Sequence, residues 1–376
     1  MKYCLNCLQP DTRPSTEFLN GICPACNFVN NSQVWDWQIR TETLKRIVKE
    51  YKNKASGPYD SILGISGGKD STRLAIWARD FLGLNPLLVS VTYPPQQLTK
   101  QGADNLNNLT EMGFDVYTTS PSPIIWKKLM KKSFLENGNW AKSTELALFA
   151  GVPQIAIELG IELILWGENP ALQLGASETI GKTGWDGNEL RNMNTLSGMS
   201  TEWLTSIGFN EEYFIPYFYP SREKFEANKI QIVFLGWAMR TWGLLENGVI
   251  ASLNGLSSRN ASAFESSDLI GLTSVDEDWV ILNQMIKYYK YGFGRATDYV
   301  NEWIRKGKIT RDEGIELVVK FDGVCSDKYI STFCEFISIN KNTFWEIVYS
   351  HTNKDLFKLE QGIRPVKKFE VGVDFE

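Results

Sequence analysis

Short apolar runs, separated by longer amphipathic stretches, set the pattern of the first half of the chain. Four of these runs have the length of buried strands and lie at residues 59–65, 86–92, 115–120 and 161–166. The segments between them are predicted to be helices, and two of these helices end at Gly113 and Gly160. The helix that ends at Gly160 is expected to break at Val152-Pro153. Strands that alternate with helices form a parallel sheet with helices on both faces. The pattern therefore predicts an α/β fold with a doubly wound parallel sheet, whose ligands bind at the carboxyl ends of the strands.

The second half of the chain has a different character. Residues 176–210 are polar and rich in glycine, asparagine, serine and threonine, which is typical of an insertion or a mobile lid. Residues 213–245 are dense in aromatic side chains, which fits a buried helical layer and a partner interface about equally well. Residues 261–376 are predicted to be mainly helical.

Membrane insertion and secretion are not indicated by the pattern. The longest uncharged apolar stretch, residues 230–239, is far shorter than the roughly 20 residues of a membrane span, and we predict it to be a buried helix. The amino terminus lacks the apolar run of a signal peptide. We therefore expect a cytoplasmic protein, whose six cysteines are thiols or metal ligands rather than disulfides.

Charge and composition narrow the chemistry. The net charge of -5 argues against a dedicated nucleic-acid binder, because such proteins usually present a basic surface. The chain has a single histidine, His351. This count excludes sites that need two histidines and argues against a Ser-His-Asp or Cys-His triad.

Four of the cysteines are paired by spacing. Cys4 and Cys7 form one CxxC pair, and Cys23 and Cys26 form a second, so that a short loop joins two thiolate knuckles. Two such knuckles close a tetrahedral four-sulfur site, which leaves no open position for catalysis. We predict a structural zinc ion in an amino-terminal zinc ribbon; a redox CxxC motif is the alternative. Cys325 and Cys334 have no such spacing and are expected to be buried apolar side chains.

A glycine-rich loop follows the first predicted strand and precedes a helix. Its sequence is Ser66-Gly67-Gly68-Lys69-Asp70-Ser71. In this setting, backbone N–H groups and a helix amino terminus bind phosphate. The loop is not a Walker A motif, because Leu63 replaces the first glycine and Asp70 follows the lysine. A chance Gly-Gly turn before a helix is the alternative interpretation.

SGGKDS resembles the PP-loop of the ATP pyrophosphatases, a superfamily that cleaves ATP between its α and β phosphates. The resemblance implies that Gly67 and Gly68 let the backbone approach the phosphates, that Ser66 and Ser71 contribute hydroxyls, and that Lys69 contributes a positive charge. It also implies that Asp70 helps to hold Mg2+. Lys69 and Asp70 are thus candidate catalytic residues, and ATP and Mg2+ are the expected cofactors.

Two further strand ends should lie beside this loop. Ser90 is in the second strand, and Gly167, Glu168 and Asn169 follow the fourth. Gly167 would let a nucleotide approach closely, and Glu168 is a candidate catalytic residue that could bind metal or a polar substrate group. A helix-capping or loop carboxylate is the alternative for Glu168. Asn169 is a candidate substrate ligand.

The carboxyl-terminal motifs point to a family. The order CxxC, CxxC, SGGKDS, WGEN, YKYGFGRATD, IRKGKITRDE and DG along the chain resembles the N-acetyl sugar amidotransferase family of bacterial surface-polysaccharide pathways. The resemblance covers nearly the whole chain. It implies that an N-acetyl group on a nucleotide-linked sugar becomes an acetamidino group during O-antigen, lipopolysaccharide or related glycan synthesis. ATP would activate the acetamide oxygen as an adenylate, and ammonia would then displace AMP.

The resemblance also implies partner proteins. Family members are thought to obtain ammonia from a glutaminase and a barrel-shaped subunit similar to those of imidazole glycerol phosphate synthase. The residues support an external source independently. A Cys-His-Glu glutaminase needs a histidine, and the only one, His351, lies in a carboxyl-terminal HTNKD segment. A glutaminase with an amino-terminal nucleophile needs a cysteine directly after Met1, but position 2 is Lys2. No partner nucleic acid or membrane is expected.

Lys290 and Arg295 lie in the YKYGFGRATD motif between glycines and aromatic residues. We predict that they bind a sugar-linked phosphate or a carboxylate, because the forked guanidinium of arginine matches both groups. An ion pair with Asp298 at the start of a helix is the alternative.

Two other functions remain open at the level of sequence. A tRNA-thiolating PP-loop enzyme also combines zinc knuckles with SGGKDS, although the net charge of -5 argues against a polyanionic substrate. A non-catalytic ATP-binding scaffold is the other alternative, and the intact Lys69-Asp70 pair argues against it. The predicted modules are the zinc ribbon, the ATP-binding core, the insertion with its aromatic region, and the helical carboxyl-terminal region, at residues 1–32, 33–175, 176–260 and 261–376.

Overall fold

A parallel sheet forms the centre of the α/β core. The structure is a computed structural model that describes residues 1–32, 37–167, 201–360 and 364–376. Within these ranges the sheet has five strands, which are β1 (Ser61–Gly64), β2 (Pro86–Val91), β3 (Val116–Thr119), β4 (Leu163–Trp166) and β5 (Gln231–Phe234). Their order is β3-β2-β1-β4-β5, and every neighbouring pair is parallel. The predicted doubly wound sheet is confirmed, and the switch point between β1 and β4 is where such folds bind ligands.

Helices cover both faces of the sheet and make up most of the carboxyl-terminal region. In chain order they are α1 (Pro24–Ser32), α2 (Trp37–Lys54), α3 (Lys69–Ile76), α4 (Lys100–Glu111), α5 (Pro123–Asn137), α6 (Ala141–Leu159), α7 (Thr201–Thr205), α8 (Arg222–Ala227), α9 (Leu235–Ala238), α10 (Leu244–Leu253), α11 (Ala263–Ser266), α12 (Trp279–Tyr291), α13 (Arg295–Arg305), α14 (Arg311–Phe321), α15 (Asp327–Ile337) and α16 (Lys341–His351). A π-helical turn at Trp77–Phe81 continues α3, and a 3-10 helix spans Glu211–Tyr217. Two short antiparallel strands, β6 (Phe357–Lys358) and β7 (Val366–Lys367), lie near the carboxyl end.

Burial on both faces explains why the strands are continuously apolar. Every residue of β2 and β4 is buried. Side chains of α2, α3 and α4 pack on one face of the sheet, and side chains of α6 pack on the other. A strand that is covered on both faces has no polar side to alternate with. The carboxyl-terminal helices α12, α15 and α16 form a separate apolar core with α5.

Two local predictions are wrong. Residues 230–239 were expected to form one buried helix, but they contain β5 and the short helix α9. A short apolar run does not distinguish a buried strand from a buried helix, and pairing with β4 decides the outcome here. The expected break at Pro153 is also absent, because α6 continues through that residue.

The aromatic region is largely core. Its buried side chains are Phe214, Tyr217, Phe225, Phe234, Trp237 and Trp242. Tyr213 and Ile215 are exposed, at 52% and 59%. Most of the aromatic density is therefore used inside this chain. Residues 176–200 of the predicted lid lie outside the described residues.

In the described parts of the chain, no helix combines the length and the apolar character that a membrane crossing requires.

Candidate functional site

The SGGKDS loop joins the carboxyl end of β1 to the amino end of α3. Gly67 has a φ of +79°, and a Cβ atom at this position would lie 2.9 Å from the backbone nitrogen of Leu106 in α4. Only glycine fits both the left-handed backbone and this close approach. The Ser66 hydroxyl accepts a hydrogen bond from the Gly68 backbone N–H at 3.3 Å, and the first turn of α3 begins directly afterwards. The loop therefore presents backbone N–H groups at a helix amino terminus, which is a favourable setting for phosphate.

A cavity of about 410 Å³ opens above this loop at the carboxyl ends of the strands. It is lined by most of the residues that the sequence predicts to bind nucleotide, namely Ser66, Gly68, Lys69, Asp70, Ser71, Ser90 and Gly167. Gly67 shapes the turn that carries them. Glu168 and Asn169, which are predicted to lie at the same edge, fall outside the described residues.

The groups in the loop fit a magnesium-bound triphosphate. Lys69 is almost fully buried, and its Nζ lies 2.7 Å from an Oδ atom of Asp70. The Asp70 side chain is 43% exposed, so its carboxylate remains accessible to a ligand. Ammonium, hydroxyl and backbone N–H groups are the donors that phosphate accepts, and a carboxylate is a preferred ligand of Mg2+.

A second wall of the cavity comes from the carboxyl-terminal region. Residues 272–274 together with Asp276, Glu277 and Val280 line it. This segment is fixed against the core, because the Thr99 backbone N–H donates to the carbonyl of Asp276 at 2.9 Å. A Cβ atom at Gly102 would lie 2.4 Å from the Cα of Asp276, so the close contact with α4 requires glycine. The cavity thus combines residues that are far apart in sequence.

Two buried carboxyl groups dominate that wall. Asp276 is 5% exposed and Glu277 is 2% exposed. Burial raises the pKa of Asp276 to about 6. Burial, together with the neighbouring charge of Asp276, raises the pKa of Glu277 to about 8. Glu277 also accepts the Trp279 backbone N–H at 2.7 Å and so begins α12. Near neutral pH the wall therefore carries less negative charge than its two acids suggest.

Lys290 and Arg295 do not line this cavity. Lys290 donates to the backbone carbonyl of Asn137 at 2.8 Å. Arg295 is 5% exposed and donates to the carbonyl of Thr273 at 3.4 Å. Arg295 is also not the partner of Asp298, which pairs with Arg13 and Lys287 instead. The assignment of Lys290 and Arg295 to a sugar-linked phosphate stays a prediction, and in this structure both contact backbone carbonyls.

The four amino-terminal cysteines converge. Their Sγ atoms all lie within 4.8 Å of one another, with Cys4 and Cys26 3.9 Å apart and Cys7 and Cys23 3.8 Å apart. A tetrahedral zinc site with bonds of about 2.3 Å places its sulfurs about 3.8 Å apart. The four sulfurs therefore fit a metal ion. Such a ligand set suits zinc or iron, and zinc is the ion that the sequence predicts.

The cysteine cluster is docked onto α13. Asn301 accepts the Leu8 backbone N–H at 2.7 Å, and a guanidinium nitrogen of Arg305 lies 3.9 Å from the sulfur of Cys7. The Arg305 cation is favourably placed beside a cluster of thiolates. Cys325 and Cys334 are buried elsewhere, as expected for apolar side chains.

Several residues at the site have no local sequence signature. Asp276 and Glu277 are a short acidic run before Trp279, and nothing in that run indicates contact with α4. Asn247 and Arg73 belong to a hydrogen-bond network around Asp70, across a sequence separation of 177 residues for the Asn247–Asp70 pair. Of these, only Arg73 could be suspected from sequence, since it lies one helical turn after Asp70.

Replacement of a cysteine ligand should affect stability first. We expect Cys4→Ser or Cys23→Ser to lower both the bound zinc and the melting temperature, because metal binding contributes folding free energy in such a small module. Elemental analysis and thermal unfolding measure the two quantities. Leu19→Ala, at an exposed position in the same module, should retain the metal. A metal-free wild-type protein with an unchanged melting temperature would refute the structural role.

Glu277 should make stability depend on pH. The folded state keeps this carboxyl protonated up to a pKa of about 8, whereas the ordinary value is 4.5. The folded state therefore binds more protons between pH 4.5 and 8, and the wild-type protein loses stability as pH rises through that window. Glu277→Gln removes the loss and should be more stable than wild type by an increasing amount, on the order of a few kcal/mol at pH 8.

Urea unfolding at pH 5, 6.5 and 8 measures this difference. Glu316→Gln, an exposed acid on α14, is the matched control and should follow the wild type at every pH. A Glu277→Gln difference that stays constant across the three values would show that Glu277 is ionised in the folded protein.

Solved structures with partial similarity have low sequence identity. NMN synthetase from Francisella tularensis is 14% identical, with 52% of this chain and 93% of that chain covered and a TM-score of 0.27. The NH3-dependent NAD synthetase from Campylobacter jejuni is 18% identical, with the same coverage and a TM-score of 0.27. The U34-tRNA thiolase NcsA from Methanococcus maripaludis, with its [4Fe-4S] cluster, is 12% identical over 72% of this chain and 79% of that chain, with a TM-score of 0.32.

A family model matches the region that supplies the acidic wall. Its description is "LPS biosynthesis protein WbpG-like, C-terminal domain", and the match spans residues 261–370. No curated protein matches the chain at a significant level. Residues 261–370 thus match a WbpG-like C-terminal domain, in agreement with the surface-polysaccharide family that the motifs of this region resemble.

Proposed function

We propose that this chain is an ATP-dependent amidotransferase that converts the N-acetyl group of a sugar into an acetamidino group, with release of AMP and pyrophosphate. The observation that carries the proposal is the shared cavity. The cavity is lined both by the SGGKDS loop and by a segment of the WbpG-like domain. A nucleotide and a second substrate could therefore meet in one cavity, as a two-substrate ligation requires.

The residues of the loop have assigned tasks in this proposal. Backbone N–H groups of residues 66–71, the hydroxyls of Ser66 and Ser71, and the ammonium of Lys69 hold the β and γ phosphates. Asp70 would hold Mg2+, which would supply positive charge to neutralise the departing pyrophosphate. Because Lys69 is buried and already ion-paired, its charge is fixed in place before ATP binds.

The proposed reaction has two steps that balance. The amide oxygen of the N-acetyl group attacks the α phosphorus of ATP, the bond to the bridging oxygen breaks, and pyrophosphate leaves while the amide nitrogen loses its proton. Ammonia then adds to the imidate carbon, and the carbon–oxygen bond breaks. AMP leaves with the original amide oxygen, and the carbon retains two nitrogens. No redox partner is required.

The acidic wall suits the sugar in this scheme. Protonated or hydrogen-bonded carboxyl groups at Asp276 and Glu277 can bind hydroxyl and N–H groups, which a sugar with an acetamide offers. Asp276, whose pKa is about 6, is mainly a carboxylate near neutral pH and would repel a phosphate. The supporting observation is that both acids line the same cavity as Lys69.

An external ammonia source follows from the proposal. A glutaminase subunit and a barrel-type ammonia-channelling subunit, similar to those of imidazole glycerol phosphate synthase, are the proposed partners. Burial raises the pKa of Cys325 to about 12 and that of Cys334 to about 11. Neither thiol is therefore poised as a thiolate nucleophile, which supports the absence of glutamine hydrolysis by these two residues. The same point disfavours them as catalytic cysteines of a thiolating enzyme.

The products of ATP turnover test the loop assignment. Lys69→Ala and Asp70→Ala should each lower the rate on the order of 10²–10³-fold, since each removes charge stabilisation from the leaving pyrophosphate. Product analysis should give AMP and pyrophosphate with the wild-type protein. Lys100→Ala, whose side chain is 83% exposed, is the control and should leave the rate unchanged. ADP and inorganic phosphate as products would overturn the assignment.

The fate of the amide oxygen tests the reaction itself. The purified chain is supplied with ATP, Mg2+, ammonium salts and a panel of N-acetyl sugars, free and nucleotide-linked, labelled with 18O in the acetamide. The label should appear in AMP, and the sugar should lose about one mass unit as oxygen is replaced by NH. Glutamine should replace ammonium only when the two partner proteins are added. Efficient glutamine use by the isolated chain would contradict the partner proposal, and sulfur insertion into tRNA would favour the thiolating alternative.

A further inference from the structure

The two carboxylate oxygens of Asp70 have different partners. One accepts a hydrogen bond from the Lys69 ammonium at 2.7 Å. The other accepts a hydrogen bond from the side-chain amide of Asn247 at 2.6 Å. Asn247 belongs to α10, far from the SGGKDS loop in sequence, and it was not among the residues predicted to form the site.

The orientation of the Asn247 amide is set by its other contacts. Asn247 is fully buried, and its Oδ1 accepts a hydrogen bond from Arg73 at 2.7 Å. A guanidinium group can only donate, so the oxygen of the amide must face Arg73 and the NH2 group must face Asp70. The donor toward the carboxylate is therefore fixed by the chemistry of Arg73.

Arg73 is itself anchored at several points. It is 4% exposed and donates to the backbone carbonyl of Thr241 at 2.7 Å and to its hydroxyl at 2.6 Å. The start of α10 is held from the WbpG-like domain, where Glu302 accepts the Leu244 backbone N–H at 2.7 Å. Lys306 donates to the carbonyl of Trp242 at 2.9 Å. Asn247 is thus supported on both sides and has little freedom to move away from Asp70.

We infer that Asn247 is a positioning residue that holds the Asp70 carboxylate in the orientation needed to bind the magnesium of Mg·ATP. This inference rests on the proposed role of Asp70. Lys69 binds the same carboxylate in the structure, but its ammonium is also the group that phosphate would attract. Asn247 carries no charge, so it keeps its hydrogen bond to Asp70 without competing with a cation for the carboxylate. Such outer partners of metal ligands are worth about 10–100-fold in metal affinity.

The experiment measures magnesium dependence in two ways. Asn247→Leu removes the donor to Asp70 at similar side-chain volume. Calorimetry with ATP and no sugar substrate gives the Mg2+ concentration at which ATP binding is half-maximal. This concentration should rise about 10–100-fold in the variant. The Mg2+ concentration for half-maximal pyrophosphate release should rise by the same factor, with a smaller change in the rate at saturating Mg2+.

A control variant separates positioning from general effects of a substitution in this region. Asn254→Leu changes an exposed asparagine directly after α10 and should keep the magnesium dependence of the wild type. If Asn247→Leu does not fold, Asn247→Ala takes its place, because water can enter the smaller side chain's space and hydrate Arg73.

The outcomes are distinguishable. An unchanged magnesium dependence in a folded Asn247 variant overturns the inference while leaving the proposed function intact. If the Asn247 variant shifts the magnesium dependence of ATP binding but the wild-type protein releases no pyrophosphate with any sugar, the inference is supported and the proposed function is overturned. A wild-type protein that does not bind Mg·ATP overturns both.

Discussion

The buried polar contacts of α13 hold three parts of the chain together. Arg305 and Asn301 contact the cysteine module, Glu302 caps the start of α10, and Arg295 donates to the carbonyl of Thr273 beside the cavity. A buried polar group without a partner costs free energy, so displacing either member of one of these contacts would destabilise the folded protein. The amino-terminal module, the hydrogen-bond network of Asn247 and Arg73 around Asp70, and the acidic wall are therefore fixed relative to one helix. Mispacking of α13 would disturb all three.

This arrangement changes the interpretation of the YKYGFGRATD motif. Glycines and charged residues in one short stretch suggest a ligand site, but Gly294 lies at the amino end of α13, where Asp322 accepts its backbone N–H at 2.8 Å. Asp298 pairs with Arg13 and Lys287, so its charge is used between the amino-terminal module and α12. In this structure the motif's polar groups serve to dock one part of the protein on another. Charge and glycine content do not distinguish these two uses, since both need a tight turn and buried polar groups.

The features that could be predicted from the sequence are those formed by residues close together in the chain. The strand, the SGGKDS turn and α3 follow one another in sequence, so their arrangement could be predicted. The spacing within the two CxxC pairs likewise predicted the four-cysteine cluster. What failed depended on distant partners. Residues 231–234 become a strand only because β4 lies beside them. Asn247 reaches Asp70, and Asp276 reaches α4, through the packing of the whole chain, and no window of sequence contains both members of either pair. Residues 176–200 of the predicted lid and Glu168 lie outside the described residues, so those predictions stand untested.

The cavity combines two chemically different sets of groups. The loop contributes Lys69, its backbone N–H groups and the amino end of α3, which suit a phosphate chain. The carboxyl-terminal region contributes Asp276, which keeps most of its charge near neutral pH, and Glu277, which burial keeps largely protonated. If ATP occupies the cavity as proposed, its triphosphate is attracted to the loop and gains nothing from the two acids. The acids are then left for a neutral partner that offers hydrogen-bonding groups. Two sets of groups with unlike chemistry would thus keep the substrates of a two-substrate ligation apart without a moving part.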